Sequence, residues 1–218
     1  IESKLSPQWS QRLAPATTSA PLRFRIEPID WLIGLALVFA QYEVLDLYRD
    51  FYNPENQAIG HDNYAFLSTA VAAHSGRWDL YMVDKRPLYG IVSAFFAPWF
   101  AGDVVRTTVA VSMACMSLLQ LPMFLLGRLW GGRAAGLAAG CMLLGTALFY
   151  PYAHEVSSYP LYNLVATATV LAVSWALFHP GRKSFLIAGL VMAVLTLTQV
   201  KNFTFNAPML ALLFLSLL

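Results

Sequence analysis

The feature that most constrains this chain is a succession of apolar runs, each about the length of a membrane crossing and separated by short polar turns. In lipid, the backbone must satisfy its own hydrogen bonds, which leaves helices or closed barrels. Runs of about 20 residues select helices. The chain is 58% hydrophobic and 12% charged, against about 25% charged in a soluble domain. The expected fold is all-α, a polytopic transmembrane helical bundle of five to six spans.

Residues 1–28 are polar and rich in Ser, Pro, Thr and Arg, and they read as a flexible tail with Arg23 and Arg25 just before the membrane. They contain no apolar core of a cleavable signal. The first span begins near Trp31 and turns polar after Ala40, where Glu43, Asp46 and Asp50 share one helix face. Carboxylates at that depth normally face a watery cavity or a partner, so the outer half of this helix is expected to line one. Further spans are expected at 104–126, 134–150, 161–178 and 185–198, with a sixth from Phe205. Gly132, Gly136 and Gly140 recur every four residues, the small-residue pattern that lets helices approach closely in lipid. Cys115 and Cys141 fall inside spans and read as buried thiols, with neither a disulfide nor a metal site implied. The first residue is Ile and the last residues are apolar. The expectation is therefore an N-terminal fragment of a longer protein, with residues 29–218 forming a truncated membrane module.

Between the first two spans lies a long polar loop, residues 49–103, carrying Asp62, Asp79, Asp84, Lys85 and Arg86. Gly60 breaks structure, and Asp62 and Asn63 are good caps for a surface helix from Tyr64 to about His74. Phe66, Leu67, Ala70, Val71 and His74 fall along one side of it. Ile91 to Phe100 is too short to span and reads as a re-entrant or surface helix.

Sidedness follows from the basic residues. The tail, the turn GRLWGGR and the loop HPGRKS hold eight of the fourteen Lys and Arg, which makes that side cytoplasmic. Nine of the twelve acids lie in the other, outer half. The outer face then collects Asp62, Lys85, Arg86, Glu155 and Lys201 from three separate segments. Asp62 can cap its helix and can equally serve as a general base. Glu155, beside His154, is either a solvated loop acid or a second polar arm. Lys85, Arg86 and Lys201 can anchor helix ends or, together, grip a phosphate. His61 and His74 beside Asp62 and Asp84 lack tight ligand spacing. No protein-bound metal is assigned, and a divalent ion stays open as a cofactor. Asn202-Phe203-Thr204 is a formal glycosylation sequon set close to the membrane.

The order of these features resembles the GT-C membrane glycosyltransferases, in particular the group of protein O-mannosyltransferases and lipid A aminoarabinose transferases (glycosyltransferase family 39-like). The matching elements are Asp62-Asn63-Tyr64, Lys85-Arg86-Pro87-Leu88-Tyr89, the stretch GRLWGGRAAGLAAG, Ala153 to Tyr159, and Thr198 to Lys201, over roughly residues 30–205. Three positions depart from the family pattern: Asn63 stands for Glu, His154 for Arg and Arg86 for Pro. The resemblance implies transfer of a sugar from a polyprenyl-phosphate donor to a lipid, glycan or protein acceptor. It implies Asp62 as base, Lys85 and Lys201 on the donor phosphate, and Glu155 positioning the acceptor or a nearby basic group. Arg86, Tyr89, His154 and Tyr159 would belong to the substrate-binding surface. The implied setting is a bacterial plasma membrane with the site facing outward, membrane lipids as neighbours and no nucleic-acid partner. A transporter would need charges near the midplane of several helices, and spans two to five are nearly free of them. A non-catalytic scaffold related to these enzymes is the other alternative.

Overall fold

A computed structural model describes residues 25–48, 61–81, 87–146, 150–198 and 202–215, without the side chains of residues 61, 62 and 202–205. The described residues are helical, with no strand among them. Helix α1 spans Pro28–Leu47, α2 His61–Ser75, α3 Leu88–Phe96, α4 Val104–Leu118 and α5 Gln120–Leu144. A single turn α6, Tyr150–Ala153, precedes α7, Tyr159–Phe178; α8 is Arg182–Thr196 and α9 is Asn202–Leu215.

Helix α1 starts where the sequence offers a start. Pro28 occupies its first turn, and the Glu27 amide donates to Asp30 Oδ2 at 2.6 Å in a reciprocal capping box. Its buried residues are Asp30, Gly34, Leu37, Gln41 and Leu45, spaced three and four apart as one stripe. Trp31, Leu32, Leu35 and Phe39 face outward. Glu43 and Asp46 lie on the exposed side of α1, away from that stripe. Asp50 is outside the described residues.

Helix α4 is the centre of the bundle. Asp103 caps it by accepting from the Arg106 amide at 3.0 Å, and most of its length from Thr107 to Ser117 is buried. It packs against α1, α2, α3, α5, α6 and α7. Leu119 stays in the helical region, so α4 and α5 follow each other almost without interruption.

The helical path of α5 breaks at Gly131 and Gly132 and the chain turns back on itself. Gly132 has φ 78° and ψ −173°, a combination open in practice only to glycine. The two arms then pass very close: a Cβ on Gly136 would sit 2.7 Å from the Phe124 carbonyl oxygen. Gly136 and Gly140 thus serve the close packing expected of them, whereas Gly132 forms the turn. The turn is tighter than the GRLWGGR segment, because Gly127 and Arg128 remain helical. Cys115 is buried as expected, but Cys141 is exposed on the second arm.

Among the described residues, three stretches are long and apolar enough to cross a membrane: Pro28–Leu47, Val104–Leu144 and Tyr159–Phe178. Helix α8, at 15 residues, is shorter than a full crossing, and α9 is described over 14 residues. Asn206 Nδ2 ties α9 to α8 through Thr196 Oγ1 at 2.9 Å.

The bundle has two distinct ends. At one, Arg133 meets Asp30 and Glu27 at 2.8 and 2.5 Å, Arg128 Nε lies 2.6 Å from Asp30 Oδ1, and Trp130 packs on Phe178. At the other, Leu45, Phe66, Tyr89, Val109, Met113, Tyr150, Val156 and Leu161 form the largest apolar cluster. Halfway along, Gln120 Nε2 donates to Gln41 Oε1 at 2.8 Å, both side chains fully buried.

Candidate functional site

The end opposite the arginines gathers the two segments that the sequence marks for chemistry. Helix α2 begins at His61, earlier than the cap assignment anticipates, so Asp62 lies in its first turn and not at the capping position. The side of α2 turned inward carries Ala65, Phe66, Thr69, Ala70 and Ala72. Leu67 and Val71 are half-buried and His74 is exposed, so the buried side is rotated from the expected one. Helix α3 presses directly on α2 because position 90 is glycine: a Cβ there would meet Thr69 Cγ2 at 2.6 Å. The apolar run after it is one short helix and a 3₁₀ turn, Ala97–Phe100.

Tyr89, on α3, is fully buried with its ring edge-on to Phe66. Its hydroxyl donates to the Thr108 carbonyl at 2.8 Å and lies 2.8 Å from Ser112 Oγ. Ser112 Oγ in turn is 3.2 Å from the carbonyl oxygens of Glu155 and Ser157, and its single proton goes to one of them or to the Tyr89 hydroxyl. One hydroxyl relay therefore joins the first loop, the central helix and the second loop. Burial pushes the Tyr89 phenol well above its ordinary range, so it is neutral throughout the physiological range and acts through its hydrogen bonds. A substrate contact through that hydroxyl would require the relay to open.

In the second loop, His154 is fully buried. Glu155 is half-buried, and that burial raises its carboxyl above the ordinary value of 4.5. Tyr159 is exposed and packs against Tyr152 with ring centroids 5.3 Å apart. In the first loop, Asp79 is exposed and paired with Arg77 at 2.8 Å. The Asp62 side chain, and Asp84, Lys85, Arg86 and Lys201 entirely, lie outside the described residues. His61 is likewise described by its backbone alone. No group of three His, Cys, Asp or Glu stands together among the described residues.

Residues that the sequence reading passed over do much of the positioning. Thr107, Thr108 and Ser112 form a buried polar stripe on α4. Their signal was visible as hydroxyls recurring inside an apolar run. Ser93 and Ser158 are fully buried at the same end.

The arrangement offers a half-buried carboxyl of raised pKa and a helix start carrying a second carboxylate residue, both on one end of an apolar bundle. Such groups suit proton transfer near a membrane surface. No protein-family model matches this chain, and no curated protein or solved structure does either.

Proposed function

We propose that this chain is a multi-pass membrane glycosyltransferase of the GT-C type. It transfers a sugar from a polyprenyl-phosphate donor to a lipid, glycan or protein acceptor. The observation that carries the reading is the Tyr89–Ser112 relay. It links the Lys85–Tyr89 motif to the Ala153–Tyr159 motif, two segments that resemble adjoining parts of one active site.

In this reading Asp62 takes the proton from the acceptor hydroxyl as it attacks the anomeric carbon. Lys85, Arg86 and Lys201 stabilise the departing polyprenyl phosphate. Glu155, His154 and Tyr159 shape the acceptor side. The chemistry fits the location, because a lipid-linked donor holds its phosphate at the membrane surface. The setting is the plasma membrane of a bacterium, with this end of the bundle outside.

The test is transfer itself. The full-length protein is reconstituted in vesicles with a synthetic polyprenyl-phosphate sugar, and loss of donor together with release of polyprenyl phosphate is followed. Acceptor-dependent release supports the reading. No turnover with any of hexosyl, pentosyl or aminosugar donors, across lipid, glycan and peptide acceptors, rejects it.

A further inference from the structure

Near the arginine-bearing end, a cavity of about 560 Å³ opens between the start of α1, the first arm of α5, the second half of α7 and the early part of α8. That volume lies within the range of small-molecule sites, roughly 300–1,000 Å³. Leu125, Leu171, Trp175, Ile187 and Val191 give it an apolar wall, and Arg25 stands at its edge. Trp175 is held in place by stacking on His179, with ring centroids 6.1 Å apart.

In water an apolar cavity of this kind stays dry. Beside a bilayer its natural filling is hydrocarbon. The charge around it is one-sided. Asp30 and Glu27 are engaged by Arg128 and Arg133. Arg25, Arg182 and Lys183 are all exposed at the same end, the latter two about one helical turn beyond Ile187. An apolar slot below a basic rim matches a molecule with a chain below and an anion above.

We propose that this cavity is a binding site for an anionic glycerophospholipid of the adjoining leaflet. One acyl chain lies along Leu171, Trp175, Ile187 and Val191. The phosphate sits at the level of Arg25, with Arg182 and Lys183 adding to the attraction at the surface. Each basic side chain near an anionic headgroup gives roughly a fivefold preference.

The experiment uses the full-length protein in phosphatidylcholine vesicles. They carry a trace of phosphatidylglycerol with a photoreactive diazirine in its acyl chain, or the same probe on a choline headgroup. After irradiation, labelled peptides are mapped by mass spectrometry. The expected result is labelling of the 171–175 and 187–191 segments, at least fivefold stronger with the glycerol headgroup. Arg25→Gln is expected to lower that preference roughly fivefold. Ala168→Phe, which fills the cavity from its wall, is expected to suppress both labels while Phe39 on the outward face of α1 is labelled as before. Equal labelling by the two probes overturns the anionic assignment. Labelling of Phe39 without the cavity segments overturns the site altogether and shows that protein fills the space.

Discussion

Arg133 Nε donates to Asp30 Oδ1 at 2.8 Å, joining residues 103 positions apart. Asp30 is fully buried and also faces Arg128 Nε at 2.6 Å. One carboxylate therefore holds the start of α1 against the turn of α5. Asp30→Asn leaves Arg128 without its buried counter-charge, and the expected loss is about 3–5 kcal/mol of stability. Glu27→Gln touches a pair that is half exposed on both sides and should cost about 1 kcal/mol or less. Thermal unfolding in detergent measures both. Equal effects for the two variants would contradict the ranking.

Three of the five glycines of the α5 hairpin, Gly132, Gly136 and Gly140, should fail for different reasons. Gly132→Ala meets no atom within 4 Å, so its cost is backbone strain alone, about 1–3 kcal/mol. Gly136→Ala is driven against the Phe124 carbonyl oxygen, at 2.7 Å, and no change of the Phe124 side chain relieves that contact. At Gly140 the nearest atom is the end of the Leu37 side chain, at 2.6 Å. Leu37→Val should therefore rescue Gly140→Ala, whereas Phe124→Leu should not rescue Gly136→Ala. Double-mutant cycles on unfolding read this difference.

Glu155 gives the fold a pH dependence with a definite sign. Burial raises its carboxyl above the ordinary 4.5, so the folded chain holds this proton more tightly than the unfolded one. Its contribution is most favourable below the ordinary value and declines as pH rises from there through the raised one. Glu155→Gln, which carries no titrating proton, should flatten that segment of the stability curve and stabilise the protein at neutral pH. A wild-type curve that rises through the same window, and is unchanged in Glu155→Gln, would refute the assignment.

The glycosyltransferase reading sets different expectations for the acid and the lysines. Asp62→Asn keeps the shape at the start of α2 and removes the base, so turnover should fall roughly a hundredfold or more with donor affinity retained. Lys85→Ala and Lys201→Ala should instead weaken donor binding. Normal turnover in the Asn variant would move the search for the base to Asp84 or Asp46.

Sidedness can be read with single cysteines in a Cys-free background. Tyr159 and Trp130 are both exposed but sit at opposite ends of the bundle. An impermeant thiol reagent added outside should modify Tyr159→Cys and spare Trp130→Cys. The reverse pattern would invert the topology.

The helices were legible because hydrocarbon runs and their punctuation are local properties. The start expected near Val104 falls there and the one expected near Trp31 falls at Pro28, whereas Gly132, expected to pack helices together, forms the turn. The contacts between those helices were not legible. Glu27, Asp30, Arg128 and Arg133 all fall on the side that the basic residues mark as cytoplasmic, yet nothing in their spacing pairs them. Tyr89 looked like part of a binding surface because it closes a motif. It is buried because Gly90 lets α3 sink onto Thr69, a consequence of three-dimensional fit. Ser112 was hidden for the complementary reason, since one hydroxyl in an apolar helix gains meaning only from what faces it.

The reversal at Gly131 and Gly132 also sets how much chain entropy each contact of the bundle costs. Its two arms meet through neighbours in sequence, Phe124 with Gly136 and Gly127 with Ala135, so closing them costs little loop entropy. The bonds from Asp30 to Arg133 and from Gln41 to Gln120 close over far longer stretches of chain. By loop entropy alone, closing the hairpin costs less than closing α1 onto it. The buried acid and amide of α1 therefore draw on a longer chain closure than any contact inside the hairpin.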